Sequence, residues 1–335
     1  MDRDEQDNRG IDVISMGDLM IDFTSLGINA DGKMLFERNP GGAPANVAAQ
    51  VCRLGGRSAF MGTVGTDEHG EYLCRVMRDL GVLTDGLIQT EKCSTRITFV
   101  YLNEEHERFF SSYRSPRAEI VFSPADIRYD LLDSAKILHI PSSILYDEPA
   151  KDAVEAAVTY ARGKGKLISY DPNWNKVLGY NSEQTRIMLD FIRHVDVLKI
   201  SGEEFKYLFD GRPLEQVTAK LVESGVQLVA VTFGKRGCYY RTKQAAGHLP
   251  AYQTRVVDTT GAGDSFVGGL LYGLSRVSKK PEELSEKELR ERIDFANACG
   301  SACAAKRGSL LVMPTMEEVE QTRRNGTSAR LLCSD

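Results

Sequence analysis

The sequence predicts an α/β protein with a mostly parallel sheet, and three observations support this prediction. Apolar runs typical of strands alternate with segments of helical spacing, a pattern that indicates βαβ units. Glycines follow two of the helical segments, at Gly55 and Gly81, where helices commonly end. The chain has 335 residues, of which 42% are hydrophobic and 27% are charged, as in an ordinary globular protein that can bury a large core.

The alternation begins with an apolar run over residues 11–23, interrupted at Gly17 and Asp18, which predicts a buried first strand. A glycine pair then opens a small-residue helix over 41–56, and a strand follows at 58–65. An amphipathic segment at 68–81 predicts a second helix that ends at a glycine.

Residues 95–113 interrupt this rhythm. Two β-rich runs flank the polar residues 103–106, so we expect a hairpin there and no helix. Together with parts of 22–38, this hairpin predicts a small β appendage on the main sheet.

The alternation resumes after the hairpin. A helix is predicted at 148–165, and the further predicted strands are 135–141, 166–173, 196–201 and 227–234. Two late helices begin with the capping-box pattern, one at Ser285 with Glu288 and one at Thr315 with Glu318. We expect residues 1–10 and 325–335 to be flexible tails.

Composition and charge argue against several classes of function. Lys and Arg number 42 and Asp and Glu 47, so the net charge is −5 and offers no basic footprint for a nucleic acid. The polar start lacks the apolar segment of a signal peptide, and no apolar run is long enough to span a bilayer. The seven cysteines are scattered without a CxxC pair, which favours buried or idle thiols. We therefore expect a cytoplasmic protein without nucleic-acid or membrane partners.

The segment 256–274, VVDTTGAGDSFVGGLLYGL, predicts an anion-binding site with a base beside it. Its small-residue loop opens a helix, so it presents bare N–H groups and the positive end of a helix dipole to an anion. Gly261 and Gly263 let the backbone approach a phosphate closely. A carboxylate should repel that phosphate, so we interpret Asp264 as a base that takes a proton from an incoming hydroxyl.

These residues carry a family resemblance. DTTGAGDSF resembles the signature of the ribokinase-like PfkB carbohydrate kinases, and GGAPANVA at 41–48 resembles the sugar-site motif of that family. The resemblance extends over nearly the whole chain and implies a kinase domain at 11–324. It implies a ribokinase-like three-layer αβα sandwich with a mostly parallel central sheet and a small β-sheet lid, formed by about 22–38 and 95–118.

The resemblance also implies a role for each motif residue in sugar phosphorylation. Asp264 would be the general base, and the amides of Gly261, Ala262 and Gly263 would form an anion hole for the phosphoryl group in transfer. The residues implied in sugar binding are Asp18, Asp22, Gly41, Gly42, Asn46, Phe110, Arg114 and Asp171.

ATP, Mg²⁺ and K⁺ are the cofactors that the resemblance implies. The residues on the nucleotide side are Asn173, Ser201, Glu204, Thr232, Gly234, Gly237 and Asn297. Glu204 would hold Mg²⁺ through water, which suits an ion that usually keeps several waters. The loops implied in K⁺ binding carry Asp258, Thr260, Cys303 and Gly308.

The lid segment is similar to that of fructokinases, so the resemblance favours phosphorylation of the primary hydroxyl of D-fructose to fructose 6-phosphate. Asn175 departs from the pattern, because fructokinases and 2-keto-3-deoxygluconate kinases usually carry arginine there, and Lys176 is a candidate substitute. The alternative substrate is 2-keto-3-deoxygluconate, whose carboxylate would need a cation such as Arg114. Ribose and nucleosides are the remaining candidate substrates.

Two further expectations concern the protein as a whole. An inactive protein that senses sugar or nucleotide is an alternative to an enzyme, but the presence of Asp264, Gly261 and Gly263 argues against it. Exposed lid strands favour pairing with a second lid, and hence a homodimer.

Overall fold

Two sheets organise the structure, which is a computed structural model that describes residues 10–102, 108–112, 118–174 and 181–332. In chain order the described strands are β1 (Ile11–Met16), β2 (Met20–Ile28), β3 (Met34–Gly41), β4 (Ser58–Gly65), β5 (Leu83–Thr90), β6 (Ile97–Leu102), β7 (Arg108–Ser112), β8 (Ala135–Pro141), β9 (Leu167–Asp171), β10 (Val197–Ser201), β11 (Leu228–Thr232), β12 (Cys238–Arg241) and β13 (Ala246–Leu249). Within the described residues the large sheet has nine strands in the order β13-β12-β11-β10-β9-β8-β1-β4-β5. Its pairings are parallel up to β11, and β12 and β13 are antiparallel additions at one edge.

Helices cover both faces of the large sheet. In chain order they are α1 (Ala43–Arg53), α2 (Glu68–Asp79), α3 (Tyr129–Ser134), α4 (Ala150–Gly163), α5 (Ser182–Phe191), α6 (Gly202–Leu208), α7 (Leu214–Glu223), α8 (Ala262–Ser275), α9 (Glu286–Ala304) and α10 (Met316–Leu332). On β1, Val13 packs into the core on the side of α1, α8 and α9, whereas Ile14 packs into the core on the side of α4, α5 and α7. This arrangement confirms the predicted three-layer αβα sandwich.

The second sheet is the lid. Its described strands follow the order β3-β2-β6-β7, with β2 and β6 parallel and the two outer pairs antiparallel. The predicted hairpin is confirmed in β6 and β7, and the predicted contribution of 22–38 in β2 and β3. Residues 103–107 and 113–117 lie outside the described part of the chain.

The prediction of a single strand over 11–23 was wrong. β1 ends at Met16, and β2 begins at Met20 in the other sheet. Gly17 lies between them with φ at 152°, close against Pro44 and Pro141. The break falls at Gly17 and Asp18, where the apolar run is interrupted, and the apolar residues on its two sides belong to different sheets, which the run itself does not show. Asp22 consequently lies in the lid, and not near the end of the first strand.

Aromatic side chains connect the lid to the main body. The ring centroid of Phe23 lies 5.2 Å from that of Phe99 and 5.8 Å from that of His69 on α2. Arg38 of β3 lies over the ring of Tyr72 on the same helix. These contacts place one face of the lid against α2. The far end of the β2–β3 hairpin exposes apolar side chains, among them Ile28, which is 68% exposed.

The C-terminal helices begin where the capping boxes predict. Ser285 and Glu288 exchange hydrogen bonds at the start of α9, and Thr315 and Glu318 do so just before α10. The helix α10 continues to Leu332, so it extends beyond residue 324, where the sequence suggested the end of the domain. None of the helices in the described ranges combines the length and the apolar character needed to cross a membrane.

Candidate active site

The start of α8 lies at the centre of the candidate site. Gly261 precedes the helix with φ at 74°, in the left-handed region, and a Cβ there would lie 2.8 Å from Met313 Cε. Both facts favour glycine at this position. The Ala262 amide donates to the Thr259 carbonyl at 3.2 Å, so this member of the predicted anion hole has a partner within the turn. The first turn of a helix nevertheless directs its amides and its dipole outward, which suits an anion.

Asp264 lies in this first turn and contacts the N-terminal half of the chain. Asn46 on α1 donates from Nδ2 to Asp264 Oδ2 at 2.7 Å. Burial raises the pKa of Asp264 to about 7, although the hydrogen bond from Asn46 favours the charged form. A carboxyl group with such a pKa can accept and release a proton near neutral pH.

The backbone of the glycine pair before α1 lies close to two aspartates. Gly42 has φ at 117°, and a Cβ there would overlap the Asp18 carbonyl oxygen. A Cβ at Gly41 would lie 2.7 Å from Asp22 Oδ2. The structure therefore brings these four predicted residues and Asn46 together beside Asp264, which forms a polar cradle between the lid and α8.

Two of the polar groups in this cradle suit a hydroxyl-rich ligand. Asn46 Oδ1 is buried and has no hydrogen-bond partner among the described residues, whereas buried polar atoms usually have one. Asp18, only 4% exposed, accepts a hydrogen bond from Ser143 Oγ at 2.6 Å and lies 3.7 Å from Arg96. The sequence analysis missed both Ser143 and Arg96, since neither belongs to a motif.

Beneath the start of α8 lies a buried ion pair. Lys199 Nζ on β10 donates to Asp171 Oδ2 on the neighbouring strand at 2.8 Å, and the two side chains are 7% and 4% exposed. The other oxygen of Asp171 accepts from the Asn173 amide at 3.0 Å, where Asn173 has φ at 48°. Both oxygens of Asp171 thus have partners within the protein. The sequence analysis missed Lys199, although a lysine between Leu198 and Ile200 in a buried strand was a visible signal.

Glu204 lies beside this pair and joins the ends of β9 and β10 by hydrogen bonds. It is 3% exposed and accepts hydrogen bonds from the amides of Trp174 and Ser201, while its own amide donates to Ser201 Oγ. Burial raises the pKa of Glu204, and the charge of Lys199 opposes this. A carboxylate has about four lone-pair directions, so Glu204 can still accept a hydrogen bond from a metal-bound water. Within the described residues, no group of three or more His, Cys, Asp and Glu side chains has an arrangement suited to a metal ion.

The predicted nucleotide-side residues form a second group around the β11–β12 turn. Ser201 and Thr232 are register neighbours at the ends of β10 and β11, and Gly234 and Gly237 lie in the following turn. A Cβ at Gly237 would overlap the chain at Leu249. Asn297 on α9 donates to the Leu249 and Pro250 carbonyls at 3.1 and 3.3 Å.

The two loops predicted to hold a cation meet behind the start of α8. Asp258 Oδ1 accepts from the Thr260 amide and hydroxyl at 2.9 and 2.7 Å, and Asp258 Oδ2 accepts from the Gly308 amide at 3.2 Å. Cys303 Sγ lies 3.7 Å from the Thr260 carbonyl oxygen. The Asp258 carboxylate thus joins the two predicted cation loops, and carboxylate and carbonyl oxygens are the ligands that a hard cation prefers.

Four positions named in the sequence analysis have no described side chain. Phe110 lies on β7, where it pairs with Val100, but only its backbone belongs to the described structure. Arg114 lies outside the described residues, and so do Asn175 and Lys176. Their predicted roles stay predictions.

Known proteins resemble this chain in sequence and in fold. Residues 11–316 match the model of the pfkB family carbohydrate kinases. Fructokinase-1 of Oryza sativa subsp. japonica is 39% identical over 312 residues, which cover 92% of this chain and 96% of that protein. A crystal structure of a fructokinase with bound ATP from Xylella fastidiosa has a TM-score of 0.87 at 29% identity, covering 94% of this chain and 99% of that one.

A second solved structure is a double mutant of the Vibrio cholerae fructokinase with fructose, ADP and potassium ion bound. Its TM-score is 0.82 at 27% identity, and the match covers 94% of this chain and 99% of that one. The family match spans most of the sequence, and the fold and the motif residues agree with it. This chain therefore belongs to the pfkB family of carbohydrate kinases.

Proposed function

We propose that this protein is an ATP-dependent fructokinase, which transfers the γ-phosphoryl group of ATP to the primary hydroxyl of D-fructose and forms fructose 6-phosphate. The observation that carries the proposal is the 2.7 Å hydrogen bond from Asn46 to Asp264, because it joins a polar cradle to a helix start suited to phosphate. The fructokinases of Oryza sativa and Xylella fastidiosa, and the fructose-bound Vibrio cholerae protein, support this substrate.

Asp264 performs the proton transfer in this reaction. The sugar hydroxyl oxygen forms a bond to the γ-phosphorus while the bond from that phosphorus to the bridging oxygen of ADP breaks, and the hydroxyl proton moves to the Asp264 carboxylate. Asp18, Asp22 and Asn46 orient the sugar, and the open acceptor Asn46 Oδ1 accepts a hydrogen bond from one of its hydroxyl groups. The amides at Gly261 and Gly263, with the helix dipole, stabilise the charge of the phosphoryl group.

Nucleotide and metal binding complete the proposal. The β11–β12 turn, with Thr232, Gly234 and Gly237, lies against the nucleotide, and Asn297 lies nearby at the end of β13. Mg²⁺ would supply charge neutralisation at the phosphates, where Glu204 would hold one of its waters.

An ATP-consumption assay over several acceptors tests the substrate. Fructose, 2-keto-3-deoxygluconate, ribose, tagatose and adenosine are compared at equal concentrations, and fructose is expected to give the highest kcat/KM. The Asp264→Asn variant provides the background rate. A higher kcat/KM for one of the other acceptors would show that this compound, and not fructose, is the substrate. If no acceptor stimulates ATP consumption, the proposal of a sugar kinase is overturned.

The dependence of activity on pH follows from the pKa of Asp264. At a pH below about 7 the carboxyl group holds a proton and cannot take another from the sugar, so kcat/KM is expected to rise as pH increases through about 7 and then level off. The measurement is kcat/KM for fructose between about pH 5.5 and 9 at saturating Mg²⁺, which reports groups of the free enzyme. Activity that is independent of pH over this range would contradict the assignment.

A potassium ion in the site between the Asp258 and Gly308 loops would fix the start of α8, so activity is expected to depend on K⁺. Replacing KCl by tetramethylammonium chloride should lower kcat/KM by about 5-fold or more, the lower end of ordinary coupling between two sites. The Asp258→Asn variant should respond less, because it loses the carboxylate that joins the two loops. Equal rates in both salts would show that the loops need no cation.

The exposed end of the lid supports a homodimer. Leu26, Ile28, Met34 and Leu35 expose between 45% and 68% of their surface on the β2–β3 hairpin, and β3 is an edge strand among the described strands. A second copy of the chain would cover these side chains. Light scattering during gel filtration is expected to give the mass of two chains, and the Ile28→Lys variant is expected to give the mass of one. A parental protein of one-chain mass would rule the dimer out.

A further inference from the structure

A buried lysine lies beneath the anion-binding start of α8. Lys199 is 6% exposed, and its ammonium group donates to Asp171 at 2.8 Å. Removing an ammonium ion from water is costly even when it is paired, so a lysine is seldom buried without a specific reason. The pairing with Asp171 explains how the charge is tolerated, but it leaves open what the charge does.

The position of the ammonium group points to an anion. A Cβ built on Gly263 would lie 3.2 Å from Lys199 Nζ, so the group lies against the first turn of α8. A cation is unfavourable at the N-terminal end of a helix, because that end carries a partial positive charge. The ammonium group and the amides of the helix start nevertheless lie side by side, and both are groups that bind a phosphate oxygen.

Three nearby acidic groups keep Lys199 charged. Burial alone would lower its pKa, but the charges of Asp171, Glu204 and Asp264 outweigh burial and raise it. The side chain therefore stays an ammonium ion at physiological pH. An ammonium group has three donors, and Asp171 takes one of them.

We propose that Lys199 is a further catalytic residue of this kinase: its ammonium group binds an oxygen of the γ-phosphoryl group beside Gly263 during transfer, while Asp171 holds it in place. The proposal rests on the proposed phosphoryl transfer from ATP, and it adds a charged side chain to an anion hole otherwise made of backbone amides. Loss of one such donor typically lowers kcat by about 10² to 10³-fold.

The competing explanation is structural, with Lys199 serving only to neutralise Asp171. Three variants distinguish the explanations. Lys199→Met removes the cation and leaves a buried unpaired carboxylate, which should lower the melting temperature under either explanation. The double variant with Asp171→Asn removes that carboxylate as well and should restore the melting temperature. Because Asp171 is itself implied in sugar binding, the reference for kcat is the single variant Asp171→Asn. If Lys199 is structural, the double variant has the kcat of Asp171→Asn; if Lys199 binds the phosphoryl group, its kcat lies about 10²-fold or more below that of Asp171→Asn.

A binding measurement gives a readout that does not need turnover. Calorimetry compares the affinity for ADP alone with the affinity for ADP and aluminium fluoride, a mimic of the phosphoryl group in transfer, at saturating sugar. The double variant is expected to keep its ADP affinity within about 3-fold and to lose the extra affinity that aluminium fluoride confers. Parental extra affinity in the double variant, or recovery of its kcat to that of Asp171→Asn, would overturn the proposal.

The acceptor screen separates this result from failure of the fructokinase proposal. The Lys199 measurements use whichever acceptor the parental protein phosphorylates best, so they remain decisive if that acceptor is not fructose. If the parental protein phosphorylates none of the acceptors, the calorimetric comparison without sugar decides the role of Lys199.

Discussion

Asp264→Asn is expected to lower kcat by at least about 10²-fold, which is the lower bound for losing a general base. The asparagine carbonyl oxygen can still accept the hydrogen bond that Asn46 donates to Asp264 Oδ2, so the junction between α1 and α8 stays intact. What the variant loses is the ability to take the proton of the sugar hydroxyl. The measurement is steady-state kcat and KM for fructose and ATP, with both KM values expected to stay within a few-fold.

The control for this substitution is the same change at an exposed carboxylate. Asp152 lies exposed on α4 and belongs to none of the motifs, and Asp152→Asn is expected to keep the parental kcat. A fully active Asp264→Asn variant would show that another group takes the proton, or that the hydroxyl needs no base.

Gly263→Asp is expected to lower kcat/KM for ATP by at least about 10²-fold, comparable to the loss of an oxyanion donor. The new side chain would begin 3.2 Å from Lys199 Nζ, so its carboxylate would pair with the ammonium group and occupy the space of the phosphoryl group. It would also repel the triphosphate. An acidic residue in the first turn stabilises a helix, so the substitution is not expected to lower the melting temperature by destabilising α8. Steady-state kinetics and thermal unfolding together measure both effects.

Gly263→Asn is the matched control because it adds a side chain of similar size without the charge. It is expected to lose less activity than the aspartate variant, and the difference measures the contribution of charge. Equal ATP affinity in the parental protein and the aspartate variant would place the phosphates away from this turn.

The sequence predicts the layers of this fold and the glycine-rich turn at the centre of the site, because both depend on local patterns. Strand–helix alternation, capping residues and the glycine-rich turn before α8 are all local, and the structure agrees with them. The break between β1 and β2 falls at Gly17 and Asp18, which interrupt the apolar run in the sequence, but an interruption does not show that the chain passes from one sheet to another. The pairing of Lys199 with Asp171 depends on the register of β9 and β10, which hydrophobic periodicity does not determine.

The contact between Asn46 and Asp264 joins residues 218 positions apart in the chain. Synthesis on the ribosome proceeds from the N-terminus, so the sugar cradle emerges long before the residue that completes it. A nascent or truncated chain that ends before α8 lacks both the proposed base Asp264 and the proposed phosphate-binding turn. Phosphorylation activity therefore arises only once nearly the whole polypeptide has been made, and unfinished chains cannot consume ATP by this reaction.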